Sequence, residues 1–177
     1  MIEDDVRRLL DHQEITEVQH RLCALVDSFE LERMVQEVFA ENGSDDHGGG
    51  PVVGRQAILE WYRDSTRNVA AIAHNVTNIT IELDGDTADV TSNVISWTWT
   101  VEKSVDGDPM RGADYALSVR YFDRMSRHSE GWRIDSRRLV ANTSKTGQAM
   151  VVAVGELPAS QRGVNALAKR QPPTPAD

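Results

Sequence analysis

The chain is short of several things, and each shortage removes a class of function. Its 177 residues include one cysteine, Cys23, so no disulfide can form within the chain. No stretch of about 18 apolar residues occurs, which leaves no candidate for a membrane-spanning helix. Basic residues are the minority, 19 against 28 acidic ones, and the net charge is -9. Such a surface repels phosphate backbones and anionic bilayers, so neither nucleic acid nor membrane is an expected partner. Residues 1–5 are acidic and contain no apolar signal core, so the expected location is cytoplasmic. Metal and nucleophile signatures are missing too. The histidines, His12, His20, His47, His74 and His128, form no His-x-His or His-Glu-x-x-His spacing. The glycines of residues 48–50 are not followed by Lys-Ser/Thr, and no Gly-x-Ser-x-Gly elbow is present. Cys23 has no local partner motif and reads as a small core residue. No cofactor and no metal are expected. Asp45, Asp46 and His47 read either as a polar loop or as part of a ligand set completed by a distant histidine.

What is present describes one domain. Apolar residues make up 40% and charged residues 27%, an ordinary globular balance, and the length suffices for a substantial core. Ile15, Val18, Leu22, Leu25 and Phe29 recur at helical spacing. Asp11 followed by Glu14 resembles a capping box, which predicts a short helix ending near Leu10 and a longer one starting near His12. A second stripe, Leu31, Met34, Val35, Val38 and Phe39, predicts another short helix after a break near Ser28. Residues 41–54 read as a loop with a short strand. A third helical pattern follows from Arg55, with Ile58, Leu59, Trp61 and Tyr62 on one side, ending before His74.

From there the pattern turns to strands. Four β-rich runs cover residues 74–83, 87–103, 112–125 and 131–142, separated by Asp84-Gly85-Asp86, by residues 106–109 and by Ser129-Glu130-Gly131. Short turns between successive runs imply antiparallel pairing. Helices first and strands afterwards predict an α+β fold, with helices packed on one face of a curved sheet. Residues 149–154 are apolar enough for a terminal strand or a helix start. The expected organisation is one domain over residues 1–157 and a flexible tail over residues 158–177, whose Pro-rich end cannot bury much.

Asp27 is the notable carboxylate. It lies among apolar residues in "LCALVDSF" near a helix C-terminus, where both burial and the helix dipole disfavour it. It faces water, caps the next helix or has a specific partner. The segments "RLCALVDSFELERMVQEVF", "DDHGGGPVVGRQAILEWY", "IAHNVTNITIELDGDTADV" and "VRYFDRMSRHSEGWRIDSRRLV" resemble, in order and spacing, the SnoaL-like family of the nuclear transport factor 2-like superfamily. Its members include scytalone dehydratase, a bile acid 7α-dehydratase and the lindane dehydrochlorinase. The resemblance implies a cone: a strongly bent antiparallel sheet wrapped around the helices and enclosing an apolar pocket.

It also implies an activity. Asp27 and His74 fall where these lyases carry an Asp–His pair that removes a proton from carbon, and Arg137 falls where the bile acid enzyme has an arginine near its pocket. A carboxylate that fixes an imidazole tautomer and stabilises the imidazolium is sound general-base chemistry. Leu22 and Val26 replace tyrosines of relatives. Ala116 and Ser118 fall where scytalone dehydratase has a serine and an asparagine. Asp46 and His47 lie on the loop that opens the pocket, Trp61 and Tyr62 read as core or pocket wall, and Trp97 and Trp99 line either a pocket or a dimer interface. The resemblance therefore implies a cofactor-independent lyase or isomerase acting on a small hydrophobic cyclic molecule, in a homodimer. Its alternatives are a non-catalytic ligand-binding or assembly module, and a small subunit of a ring-hydroxylating oxygenase. One conflict is local. Strict alternation along residues 74–83 puts His74 opposite Ile79, Ile81 and Leu83, unless a bulge near Thr77-Asn78 re-aims the first half of the strand or both faces of the sheet are covered.

Overall fold

A computed structural model of the protein describes residues 2–101, 112–142 and 151–153. Helix α1 (Ile2–Asp27) is followed by α2 (Leu31–Val38), strands β1 (Phe39–Asp46) and β2 (Val52–Val53), helix α3 (Arg55–Thr66), and strands β3 (Val69–Asp84), β4 (Thr87–Thr100), β5 (Tyr115–His128), β6 (Gly131–Ala141) and β7 (Val151–Ala153). The strands form one sheet in the order β2-β1-β6-β5-β4-β3, with β7 paired to the start of β5. All neighbours are antiparallel except β1 and β6. The fold is α+β, as expected. Among the described residues no helix is long and apolar enough to cross a membrane.

α1 is one uninterrupted helix, not two. Asp11 and Glu14 cap nothing; they reach out to the sheet. The Asp11 carboxylate pairs with Arg127 and accepts the Trp132 indole N–H at 3.3 Å, and Glu14 accepts the Trp132 main-chain N–H at 2.9 Å. A capping box competes with tertiary partners for the same oxygens, and here the partners on β5 and β6 win. Burial raises the Asp11 carboxyl, but hydrogen bonds from Arg127 and Trp132 outweigh it and hold the group below its ordinary range.

α1 ends without glycine. The Glu30 N–H reaches the Leu25 carbonyl at 2.9 Å and the Phe29 N–H reaches that of Val26 at 3.0 Å, the bond pair of a Schellman motif, with Phe29 left-handed at φ 58°. Asp27 is thus the last helical residue, where the chain turns away and leaves its carboxylate clear. The next helix has Glu30 as N-cap with no side-chain bond, so Asp27 does not cap it. Phe39, placed by its spacing on α2, is instead extended and opens β1.

Three rows of apolar residues meet in one core. α1 contributes Ile15, Val18, Leu22 and Val26, α2 and α3 add Met34, Val38 and Ile58, and the sheet adds Val90, Val94, Val119, Met125, Trp132 and Ile134. The even-numbered residues from Ala88 to Ser96 of β4 are buried, while its odd positions look outward. The sheet therefore has an inner face against the helices and an outer face away from them.

Candidate active site

Two bulges set the inner face. In β3 the register slips between Thr77 and Thr80, and Asn78 is left-handed at φ 51°, a conformation asparagine tolerates better than most side chains. Before the slip the partly buried positions include Ile72, His74 and Val76, with Val69 and Ala73; after it they are Ile79, Ile81 and Leu83. The apolar members of both halves pack on the same core. Of the two alternatives that strict alternation left open, a bulge near Thr77-Asn78 is present, and it puts His74 on the side of the helices. His74 is not at the strand entrance, however: β3 begins at Val69, ahead of it. In β6 a second slip, between Ile134 and Ser136, changes parity in the same way and buries Arg137 alongside Ile134. Arg138 remains outside, its guanidinium 5.0 Å from the Phe122 ring centre.

Asp27 and His74 meet across 47 positions of chain. Asp27 Oδ1 accepts from His74 Nδ1 at 2.5 Å, and Oδ2 accepts the main-chain N–H of His74 at 2.9 Å. One carboxylate thus grips both the ring and the backbone that carries it. A neutral imidazole that donates from Nδ1 is left with Nε2 as its basic nitrogen. His74 is the more buried partner, its side chain 10% exposed against 27% for Asp27.

A second polar group lies deeper. Arg137 donates to both oxygens of Asp123, at 2.7 and 2.6 Å, and to Gln19 Oε1 at 2.8 Å, and its guanidinium sits 4.1 Å from the Tyr121 ring centre. Gln19 also donates to Asp123 at 2.7 Å. Desolvation works against the Arg137 charge, but Asp123 outweighs it and the guanidinium is held above its ordinary range. Burial raises both Tyr121 and Tyr62, so the two phenols stay protonated. Gln19, Cys23 and Asp27 follow at intervals of four along one face of α1 and connect the two groups. Burial pushes the Cys23 thiol up to about 11, with Arg137, Asp27 and Asp123 all close enough to act on it. Arg137 makes no hydrogen bond to Asp27 or His74.

The loop after β1 completes this interior. Asp45, buried on the inner face, accepts the Tyr62 hydroxyl at 3.1 Å and lies 3.2 Å from His47 Nε2. His47 stacks on Trp61 with ring centres 4.0 Å apart and meets Tyr62 edge-on. Asp46 accepts from the backbone N–H groups of Gly48 and Gly50, at 2.7 and 3.1 Å, and so shapes the loop. Among the described residues no group of three metal-ligating side chains occurs.

The remaining candidates do not gather with these. Leu22 and Val26 are buried in the core between α1 and the sheet. Trp97 and Trp99 occupy odd positions of β4, and Ala116 and Ser118 are the register neighbours of Trp97 and Ile95. All four therefore stand on the outer face, away from His74. The parity of β4 and β5, undisturbed by a bulge across this pairing, decides it. Two open hollows of about 490 and 560 Å³ flank the first turns of α1, and neither is lined by Asp27, His74 or Arg137. Asp123 and Gln19 escaped the sequence reading as site residues, and Asp45 entered it only as a member of a ligand set. Asp45, near the end of β1, and Asp123, inside "RYFDRM", carry no local sign of these partners, and the arginine that neutralises Asp123 is reached only by strand pairing.

Comparison with known proteins agrees with this geometry at the level of fold. No curated protein matches the chain in sequence. A putative scytalone dehydratase from Novosphingobium aromaticivorans is 18% identical, with a TM-score of 0.69 over 82% of this chain and 89% of that one. A hexachlorocyclohexane dehydrochlorinase is 16% identical, with a TM-score of 0.69 over 84% of this chain and 93% of that one. An NTF2-like protein with a cystatin-like fold, also from Novosphingobium aromaticivorans, is 24% identical, with a TM-score of 0.63 over 82% and 92%. These likenesses establish the architecture. The model of the SnoaL-like domain matches residues 7–138, most of the chain, and the protein belongs to that family.

Proposed function

We propose that the protein is a cofactor-independent lyase or isomerase of the dehydratase kind, with His74 as the base. The observation that carries this reading is the double grip of Asp27 on His74, at 2.5 Å to the ring and 2.9 Å to the backbone. His74 Nε2 takes a proton from carbon in a small hydrophobic cyclic substrate. The electron pair left on carbon then either expels a neighbouring hydroxyl, which leaves as water with a proton returned from the imidazolium, or is reprotonated at another carbon. Asp27 holds the tautomer and stabilises the imidazolium, and an enclosure that excludes water strengthens that interaction. With its charge matched by Asp123, Arg137 serves to hold the ligand and the interior rather than to take the proton. We assign the outer face, with Ile95, Trp97 and Trp99, to a second copy of the chain.

The test is turnover on a panel of hydroxylated cyclic compounds, scored for loss of water or for double-bond migration. Activity that survives His74→Ala and Asp27→Asn unchanged would sink the reading. A non-catalytic binding role has one observation in its favour: Leu22 and Val26, standing where relatives carry tyrosines, are plain core. That role predicts apolar ligands that raise the melting temperature equally in the wild type and in Asp27→Asn, with no turnover in either.

A further inference from the structure

Four buried side-chain nitrogen or oxygen atoms lack a hydrogen-bond partner among the described residues: Asp45 Oδ1, Ser92 Oγ, Arg133 Nε and Arg137 Nη1. Two of them belong to direct neighbours, because Asp45 and Arg137 are paired in register across β1 and β6. A buried, unsatisfied atom of a charged group is costly, more so than a neutral one, and native structures seldom leave one without a reason. Here there are two, of opposite character, side by side. Both residues are 2% exposed.

Everything else about the two side chains is spoken for. Asp45 Oδ2 faces Tyr62 and His47, which leaves Oδ1 as the free acceptor. Arg137 Nε and Nη2 are held by Asp123 and Gln19, which leaves Nη1 as the free donor. No ion pair joins Asp45 to Arg137, although each feels the other's charge. Two rigidly held groups that do not touch, one donating and one accepting, present a site for a single atom that can do both.

We infer that Asp45 and Arg137 form a subsite for a neutral hydroxyl group of the ligand, Arg137 Nη1 donating to its oxygen and Asp45 Oδ1 accepting its proton. The donor–acceptor pattern excludes the other polar groups. A carboxylate or phenolate accepts from Arg137 but has no proton to give to Asp45. An ammonium cannot accept from Arg137. An ether or ketone accepts but cannot satisfy Asp45. The position relative to His74 is also set: Gln19 and Asp27 are eight residues apart on α1, about 12 Å along its axis. The hydroxyl is therefore bound at the end of the ligand far from the carbon that His74 attacks. This inference rests on the reading of the interior as the site of a hydrophobic cyclic ligand.

The experiment uses isosteric pairs in which a methyl group replaces the hydroxyl: phenol against toluene, and 2-naphthol against 2-methylnaphthalene. Their affinities for the wild type and for Asp45→Asn are measured by titration calorimetry, at a pH that keeps the phenols neutral. The wild type is expected to prefer each hydroxyl compound by about tenfold or more, as a site built around a hydroxyl rejects the analogue that lacks it. In Asp45→Asn the side-chain carbonyl must stay with Tyr62 and His47, so an amide N–H₂ replaces the free acceptor. The preference should fall below about threefold while affinity for the methyl compounds is kept. Equal binding of hydroxyl and methyl partners by the wild type overturns the inference and leaves the hydrophobic-ligand reading intact; the two atoms then serve a trapped water. A preference that persists in Asp45→Asn also overturns it, because the hydroxyl is then read elsewhere. If none of the four compounds binds the wild type, the hydrophobic-ligand reading fails and the subsite fails with it. Should Asp45→Asn not fold, the wild-type ratio decides alone.

Discussion

Of the carboxylate–imidazole pairs among the described residues, one, His128 with Asp135, lies at the surface, and the other two use the same chemistry in opposite ways. Asp27 and His74 are 47 positions apart and 2.5 Å in contact; Asp45 and His47 are two positions apart and 3.2 Å in contact. In the first pair the imidazole is the buried partner, 10% exposed against 27% for its carboxylate. In the second the order reverses, with Asp45 2% exposed and His47 22%. The carboxylate of the first pair is devoted to one residue, gripping ring and backbone together. That of the second is divided among Tyr62, His47 and the electrostatic neighbourhood of Arg137. His74 is held through both its ring and its backbone, whereas His47 is held through its ring alone, by Asp45 and by stacking on Trp61. The second pair organises an interior. Residue types do not distinguish the two; what each carboxylate is bonded to does.

The strongest way to break this contrast is to remove each imidazole in turn. His74→Ala is expected to lower turnover by about 10²–10⁴-fold, the usual worth of a positioned base, while His47→Ala stays within about tenfold. Measured kcat values for the two variants decide it, and a larger loss for His47→Ala would exchange the two roles. The next effect is on stability. Arg137→Met strands Asp123 in the core and should cost about 3–5 kcal/mol by denaturant unfolding, whereas Asp27→Ala, at a partly open position, should cost far less. Comparable losses would mean that both polar groups are structural.

The bulge offers a third, smaller lever. Asn78→Val forces a β-branched residue into a left-handed backbone, at about 1–2 kcal/mol, and should also lower turnover by misaiming His74; Asn78→Gly should do neither. Unchanged activity in Asn78→Val would show that the bulge does not orient the base. The smallest effect concerns Cys23, between the two groups. Its thiol is raised to about 11 from 9.0, so between these values the unfolded chain gives up the proton and the folded one keeps it. Stability is therefore complete below pH 9 and falls as pH rises from there, by about 1 kcal/mol at pH 10. Unfolding at pH 8 and pH 10 should show this slope in the wild type and a shallower one in Cys23→Ala, where the buried Tyr62 and Tyr121, raised in the same direction, still contribute.

Among the described residues, Phe29 and Asn78 are the only non-glycine positions with a left-handed backbone. Each follows one member of the Asp27–His74 pair, the first closing the helix that ends at Asp27 and the second reversing the parity of the strand that carries His74. Backbone strain of this kind gathers where a site needs a chain direction that regular structure does not supply. It also marks the boundary of what could be read without coordinates. The helix–strand order and the hairpins at Asp84-Gly85-Asp86 and Ser129-Glu130-Gly131 follow from periodicity and turn chemistry, whereas a break near Thr77-Asn78 is one of two ways to place His74 where the resemblance puts it. The false break at Asp11 came from the same rules, because a cap and a tertiary hydrogen bond use the same oxygen.

Sequence by itself determined the α+β class, the four hairpin strands β3 to β6 to within about five residues at each end, and Asp27 as a carboxylate set among apolar residues. Those features depend on local spacing and on composition, which every stretch of chain carries within itself. Tertiary structure alone decided that Arg137 belongs to Asp123 and Gln19, that Asp45 joins them, and that Trp97, Trp99, Ala116 and Ser118 stand on the far face of the sheet. Those facts depend on register and on two bulges, and a slip of one residue exchanges every side chain between the faces.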